Sequence, residues 1–298
     1  MKTQIHLHQT HHTVADFEAI FKTLTQTLKS EGLHVFPELF LTGYPLQDLV
    51  LQRGFIETYL EHQQRIHDWA INQTGHWRGL IGGLHYELEG TVPKKIRNVI
   101  YEVVPGKGLE LLYAKRLLPN YDIFDEQKYF SPGKTNCFYE FQGETFGLQI
   151  CEDMWHSSFH EIDPCELMLK EAQDKNLKLA AVINLSASPY EAAKKSKRLK
   201  RAKNISLLFG CPFIYVNRVG GEDEILFDGT SFVMDGGELS HELASFRPQS
   251  LSLELTSRPS NYQDSPDLHA ENTWEGLFSP RINISTRPAI LKSWSEEE

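Results

Sequence analysis

The chain has 298 residues, 40% of them hydrophobic and 23% charged, an ordinary globular composition with enough length to bury a large core without cross-links. Thirty basic residues against 40 acidic ones leave a formal charge of −10; that is the wrong sign for general nucleic-acid binding, which needs a basic field along the phosphates. The 4 cysteines, at 137, 151, 165 and 211, form no CxxC pair, so neither a zinc site nor a disulfide framework is expected.

Residues 2–7 alternate and predict a strand. Residues 13–29 predict a helix, opened by a Thr13/Asp16 capping box and carrying Phe17, Ile20, Phe21, Leu24 and Leu28 as an apolar stripe. A short strand over 34–37 cannot continue as a central ladder past Pro37. Residues 55–71 suit a second helix, and three strand-like runs follow at 80–87, 98–104 and 109–115, with breaks short enough for hairpins. Residues 145–150 form an apolar strand ending at Cys151. Residues 177–185 are rich in Ala, Val, Ile and Leu, as in a strand covered on both faces. A basic helix is expected over 190–209, a buried strand over 212–216, and a terminal hairpin from 225–227 and 231–234. Strands that alternate with helices and also pair as hairpins imply an α/β fold, with a mixed sheet layered against helices. Beyond about residue 240 the apolar periodicity fades. Residues 1–240 are therefore read as one domain and 241–298 as an arm packing on it or on a dimer partner. No run approaches the roughly 20 apolar residues of a membrane span. The N-terminus has no apolar leader core, so a cytoplasmic location is expected.

Three motifs end strand-like segments, where a rigid scaffold can hold side chains at a common edge. HVFPELFLTGYP carries Glu38, LLYAKRLLPNYDIFDEQKYFSPG carries Lys115, and FGLQICEDMW carries Cys151. Taken singly, each has an ordinary structural explanation: a solvated Glu, a surface Lys, a small buried Cys. Together they supply the roles that amide cleavage needs. A free thiol near pKa 8.5 is only about a few per cent thiolate at neutral pH; a nearby carboxylate can take its proton, and a nearby ammonium favours the thiolate. Glu152 and Asp153, directly after Cys151, act the other way if their charges face it, so Lys115 is expected close by. Cys137, Cys165 and Cys211 are read as small buried hydrophobes.

The phrases FPELFLTGYP, KRLLPNYDIFDEQKYF, ICEDMW, NLSASPY and YVNRVGGEDEILFDGTSF, in that order, resemble the nitrilase superfamily of carbon–nitrogen hydrolases. Within it, they resemble the glutaminase domains of glutamine-dependent NAD synthetases. The resemblance spans roughly residues 1–240. It implies a four-layer αββα sandwich with two mixed sheets between helix layers, commonly dimerising through its outer helices. It also implies catalytic roles for Glu38, Lys115 and Cys151 and a supporting role for Glu126. Tyr121 falls where the family lines the glutamine pocket, and Ser188 and Tyr190 lie near its substrate-gripping loop. The backbone N–H of Glu152 is expected beside Lys115 at the oxyanion. Lys194, at the start of the basic helix, is the best-placed cation for a substrate carboxylate. No metal and no organic cofactor are expected; the partners expected are a small amide, a second copy of the chain and a separate ammonia-using synthetase.

This chain departs from the family at several points. It reads SPYEAAKK, so Ala193 stands where the family tends to have Gly before Lys. The first loop, QTHHTVAD, lacks the family's early Asn-Pro and Gly, and Arg218 and Glu222 stand where Gln is frequent. No Ser-Gly-Gly pyrophosphate loop occurs, so the chain alone is not expected to make NAD. Gly133-Lys134-Thr135 is not a phosphate loop, because Lys128 occupies the position of that motif's first Gly. His6, His8, His11 and His12 lack an accompanying Cys or carboxylate set for a metal. The run KKSKRLKRAK holds seven basic residues and is read as mostly a solvated helix face, with Leu199 and Ala202 inward. The leading expectation is a stand-alone glutaminase-type amidase; the alternatives are an amidase for another small amide without a synthetase partner, and a non-catalytic interaction subunit.

Overall fold

Alternation in the first strand sends Ile5 and Leu7 to one face and His6 and His8 to the other, and both faces are covered. The structure is a computed structural model describing residues 2–120, 124–155 and 160–256. One sheet contains β1 (Lys2–Gln9), β2 (Gly32–Val35), β3 (Trp77–Glu89), β4 (Val92–Val104) and β5 (Gly108–Ala114). The other contains β6 (Cys137–Phe141), β7 (Glu144–Ile150), β8 (Leu179–Ser186) and β9 (Phe213–Asn217). A separate ribbon pairs β10 (Val219–Glu222) with β11 (Ile225–Asp228). The chain then returns to the second sheet as β12 (Phe232–Asp235) and β13 (Glu238–Glu242), and closes the first as β14 (Gln249–Thr256).

The strand orders are β14-β1-β2-β3-β4-β5 and β13-β12-β9-β8-β7-β6. Each sheet has three parallel central strands, β1-β2-β3 and β7-β8-β9, flanked by antiparallel ones. Between the sheets lies one apolar layer, in which Ile5, Leu7, Val35 and Ile100 meet Leu148, Ile150, Ile183 and Val216. Helices α1 (Phe17–Thr27) and α2 (Arg53–Ile71) cover the outer face of the first sheet through Ile20, Leu24, Tyr59 and Ile66. After the short helix α3 (Glu126–Tyr129), α4 (Pro164–Asp174) and α5 (Lys194–Phe209) cover the second through Met168, Ala202, Ile205 and Phe209. The result is the expected αββα sandwich. Its two buried sheets explain why β8 reads as an uninterrupted apolar run.

Three differences from the sequence reading have local causes. The first helix starts at Phe17, because Asp16 alone caps it by accepting from Ala19 N at 3.1 Å. Residues 225–227 and 231–234 do not form a hairpin with each other: β11 pairs with β10, whereas β12 pairs with β9 and β13. Gly229 and Thr230, at φ +67° and +51°, turn the chain out of the ribbon between them. The hairpin turn lies instead at Gly236-Gly237, where both residues have positive φ as a two-residue turn requires. Finally, β14 pairs with β1 along its whole length. Its Leu251, Leu253 and Leu255 join the inter-sheet layer, while Ser250 and Ser252 meet His8 and His6 at 2.8 and 2.7 Å.

The histidines are thereby spent on structure. His6 and His34 stack at 4.3 Å and His8 on Phe36 at 4.6 Å, while His8 Nε2 and His34 Nδ1 share a hydrogen bond of 2.9 Å. His11 Nδ1 bonds Val219 O, and His12 packs edge-on against Phe40. Among the described residues no group of three or more His, Cys, Asp or Glu is arranged to hold a metal ion. Nor is any helix among them long and apolar enough to cross a membrane.

Candidate active site

Both sheets end their parallel strands on the same side, the usual location of sites in α/β sheets. Glu38 follows β2 on a loop pressed against β3: Leu41 N reaches Gly82 O at 3.0 Å, and Gly82 N reaches Pro37 O at 3.2 Å. A Cβ at Gly82 would lie 2.3 Å from Leu39 N, so only glycine admits the loop this closely. Lys115 follows β5, and its backbone is clamped between Asn98 O and Gly133 N, at 2.9 and 2.7 Å. A Cβ at Gly133 would lie 2.1 Å from Ala114 O. That close approach is the role of the glycine that superficially suggested a phosphate loop. Cys151 follows β7 as the first residue of a tight 3-10 turn, Cys151–Met154, with φ of 39°. Left-handed backbone at a non-glycine residue is strained and collects at functional sites.

These loops converge. The Lys115 ammonium donates to Glu38 Oε1 at 2.8 Å and to both oxygens of Glu126, at 3.0 and 2.8 Å. All three residues are buried. Glu38 is held from two further directions: Asn98 Nδ2 donates to Oε1 and the backbone N–H of Ala187 to Oε2, each at 2.7 Å. Tyr44 donates to Glu126 at 3.2 Å. Asn98, Tyr44 and the Ala187 N–H escaped the sequence reading, although Ala187 lies within the NLSASPY phrase.

Burial pulls the Lys115 ammonium down, but Glu126 and Glu38 outweigh it and hold the group charged, well above the usual lysine range. Burial and then Glu38 push the Cys151 thiol well up, with Lys115 opposing and Glu152 and Glu126 adding. The resting thiol is therefore neutral. Lys115 favours the thiolate, but its pull is outweighed. Glu126 is raised above the ordinary carboxylate range, chiefly by burial. Burial also pushes the thiols of Cys137, Cys165 and Cys211 up, to about 12. Cys165 and Cys211 belong to the layer beneath α4 and α5, and Cys137 packs against the inter-sheet layer. Only Cys151 faces both Glu38 and Lys115.

Around this centre stand groups of both signs. The Glu152 carboxylate is buried, with His160 Nε2 at 3.6 Å. The Lys194 side chain is half-buried at the start of α5, its pKa lowered by burial and Arg198 against the opposing pull of Cys151 and Glu152. Ser188 is fixed by Asn217, which accepts from its N–H at 2.8 Å and donates to its carbonyl at 3.2 Å. Tyr190 is half exposed, its ring edge-on to Phe246. Tyr121 lies outside the described residues. The basic run is not a uniformly solvated face: Arg198 is 1% exposed, its Nη1 donates to both Asp228 oxygens at 2.8 Å, and its Nη2 donates to the Ser188 and Pro189 carbonyls. It locks the loop that delivers Ala187 to Glu38. Arg218 is also buried, donating to the Tyr44 and His12 carbonyls with its guanidinium over Phe227.

Residues 7–236 match the family model described as carbon-nitrogen hydrolase. The glutamine-dependent NAD(+) synthetase of Acinetobacter baylyi is 29% identical over 269 residues, 89% of this chain and 45% of that protein. The glutamine-dependent NAD+ synthetase of Acinetobacter baumannii, solved with ADP, superposes with a TM-score of 0.72 at 26% identity, covering 88% of this chain and 49% of that one. A mutant of the Nesterenkonia AN1 amidase from the nitrilase superfamily superposes at 0.63 with 19% identity, covering 85% of this chain and 90% of that one. The chain spans about half the length of the curated relatives it matches.

Proposed function

The chain belongs to the carbon–nitrogen hydrolases, enzymes acting on carbon–nitrogen bonds, and from that premise we propose that it releases ammonia from glutamine or a closely related small amide through a thioester on Cys151. The observation that carries this reading is one buried ammonium, Lys115, bridging Glu38 and Glu126 beside the thiol. In the reading, Glu38 accepts the thiol proton as sulfur attacks the amide carbonyl. The oxyanion is held by the Lys115 ammonium and the backbone N–H of Glu152; such preorganised donors contribute about 3–4 kcal/mol each. Protonated Glu38 passes its proton to the leaving nitrogen, ammonia departs, and the thioester remains. Glu38 then activates a water that releases the acid, and the thiol regains its proton. Proton transfer of this kind contributes roughly 10²–10⁴ in rate.

An α-amino acid amide suits the surroundings, because Glu152 and Lys194, of opposite charge, both act on the Cys151 thiol. One suits a substrate ammonium and the other its carboxylate. The relatives' names make an ammonia-using synthetase activity the destination of the ammonia in this reading, with self-association through the outer helices. A steady-state ammonia assay over glutamine, asparagine and short dicarboxylic monoamides tests it. Cys151→Ala should abolish release from every substrate used while the circular dichroism is unchanged; retained turnover would remove Cys151 as nucleophile. Turnover of a monoamide lacking the α-amino group at the glutamine rate would remove the amino-acid preference.

A further inference from the structure

Asp153 has no accessible surface, and sequence alone casts it as a charge unfavourable to the neighbouring thiolate. Its carboxylate is saturated by donors from two sheets. Oδ2 accepts from Ile150 N at 3.0 Å and from Tyr113 Oη at 2.8 Å. Oδ1 accepts from Arg116 N at 3.0 Å and Leu117 N at 2.8 Å. Ile150 is the last residue of β7, immediately before Cys151. Tyr113 lies on β5, and Arg116 and Leu117 directly follow Lys115. One side chain therefore joins the strand end that presents the sulfur, in one sheet, to the strand end that presents the ammonium, in the other.

We propose that Asp153 is a positioning residue for the reaction: by bonding both strand ends it sets the separation of the Cys151 sulfur from the Lys115 ammonium, without touching substrate. The inference rests on the reading of Cys151 as nucleophile and Lys115 as oxyanion partner. The geometry explains the choice of a carboxylate. Four donors point at two oxygens, and charged acceptors make the stronger bonds. Asparagine has the same shape but offers one acceptor atom, and its NH2 group must face donors at the other. The Cys151 backbone, left-handed at φ 39°, stands between the strand and the turn and needs such support; Asn184 Nδ2 adds a bond to its carbonyl at 3.3 Å.

The test is Asp153→Asn, with Tyr113→Phe as the milder variant, each read by steady-state kinetics, thermal melting and the pH dependence of Cys151 alkylation by iodoacetamide. Misplacement of reacting groups by about 1 Å costs on the order of 100-fold. Asp153→Asn should thus lower kcat by roughly that factor, with KM changed less than about threefold and the same loss on every amide turned over. The pH profile of alkylation should shift, because the ammonium moves relative to the sulfur. A folded Asp153→Asn enzyme with kcat within about threefold of the parent and an unmoved alkylation profile would overturn the proposal. If that variant does not fold, Tyr113→Phe decides: a lowered kcat with a shifted profile supports the latch, and an unmoved profile overturns it. Alkylation needs no substrate, so a parent enzyme that ignores glutamine would remove the substrate reading while leaving this test intact.

Discussion

Glu38→Gln separates acid–base chemistry from charge in a way the structure makes quantitative. The carboxylate accepts three hydrogen bonds, from Lys115, Asn98 and Ala187 N–H. Glutamine has one acceptor oxygen. Placed at the Oε1 position, it still serves Lys115 and Asn98, and the amide nitrogen then faces the Ala187 N–H; the reverse orientation sets it against two donors. The better orientation loses one bond and leaves a buried donor unpaired, which costs about 1–3 kcal/mol. At about 2–4 °C per kcal/mol for a chain of this size, the variant should fold and melt several degrees lower. Loss of the base should lower kcat by roughly 10²–10⁴. The thiol should move the opposite way from activity: burial still raises it, but its second cause, the Glu38 charge, is gone, so Cys151 should titrate at lower pH. The assays are ammonia release, melting, and the pH dependence of iodoacetamide alkylation. A variant that turns over within tenfold of the parent, or whose thiol titrates at the same or higher pH, would refute the reasoning.

Two further outcomes follow from packing and burial. Gly133→Ala and Gly82→Ala place a methyl 2.1 Å from Ala114 O and 2.3 Å from Leu39 N. Backbone must shift behind Lys115 or Glu38, so each should lose at least tenfold in kcat, on the order expected for sub-ångström misplacement; unchanged kcat would mean the loops tolerate movement. Burial, then His34 and His6, depresses His8 to about 3. Burial and His6 depress His34 to about 4, against the opposing hydrogen bond to the Ser30 carbonyl. Below the ordinary histidine pKa near 6.5 the unfolded chain takes up these protons and the folded chain does not. Stability is therefore full above about 6.5 and falls as pH drops toward 4, by roughly 1.4 kcal/mol per pH unit per group. Urea melts between pH 7 and 5 should show this slope, and His8→Gln should flatten it by about one proton; an equal slope in both would mean His8 is not the group responsible.

What the sequence showed and what it hid divide along the range of the interactions. Glu38, Lys115 and Cys151 were legible because each ends a strand whose apolar run is local. β7 and β8 declared themselves through continuous burial. Arg198 did not, since nothing in a run of seven basic residues marks the one facing Asp228, 30 positions away. Asp153 misleads for the same reason: its value comes from N–H groups 36 and 37 residues earlier in the chain, and without them it is only a charge beside a thiol. β14 goes unread in the region where periodicity fades, although Leu251, Leu253 and Leu255 alternate there; its other face is polar because it meets histidines on β1 rather than hydrocarbon. From sequence alone, β11 is expected to pair with β12 as a hairpin, because the break at Gly229-Thr230 is a matter of backbone sign, which composition does not record.

The charge arrangement also bears on when the thiol loses its proton. Even at an ordinary pKa near 8.5 the thiolate is only about a few per cent at neutral pH; here burial and Glu38 reduce it further, and Lys115 does not reverse that. A route through a preformed thiolate would start from a scarce species. Proton transfer to Glu38 during attack removes that requirement, because it discharges the carboxylate that opposes the thiolate. It also leaves Lys115 with one carboxylate partner fewer at the moment the carbonyl oxygen becomes negative. The ammonium, neutralised at rest by Glu38 and Glu126, is then released in part to the oxyanion. Stabilisation that exists in the transition state and not in the ground state is what raises kcat, and a lysine held between two carboxylates, one of them a proton acceptor, provides it.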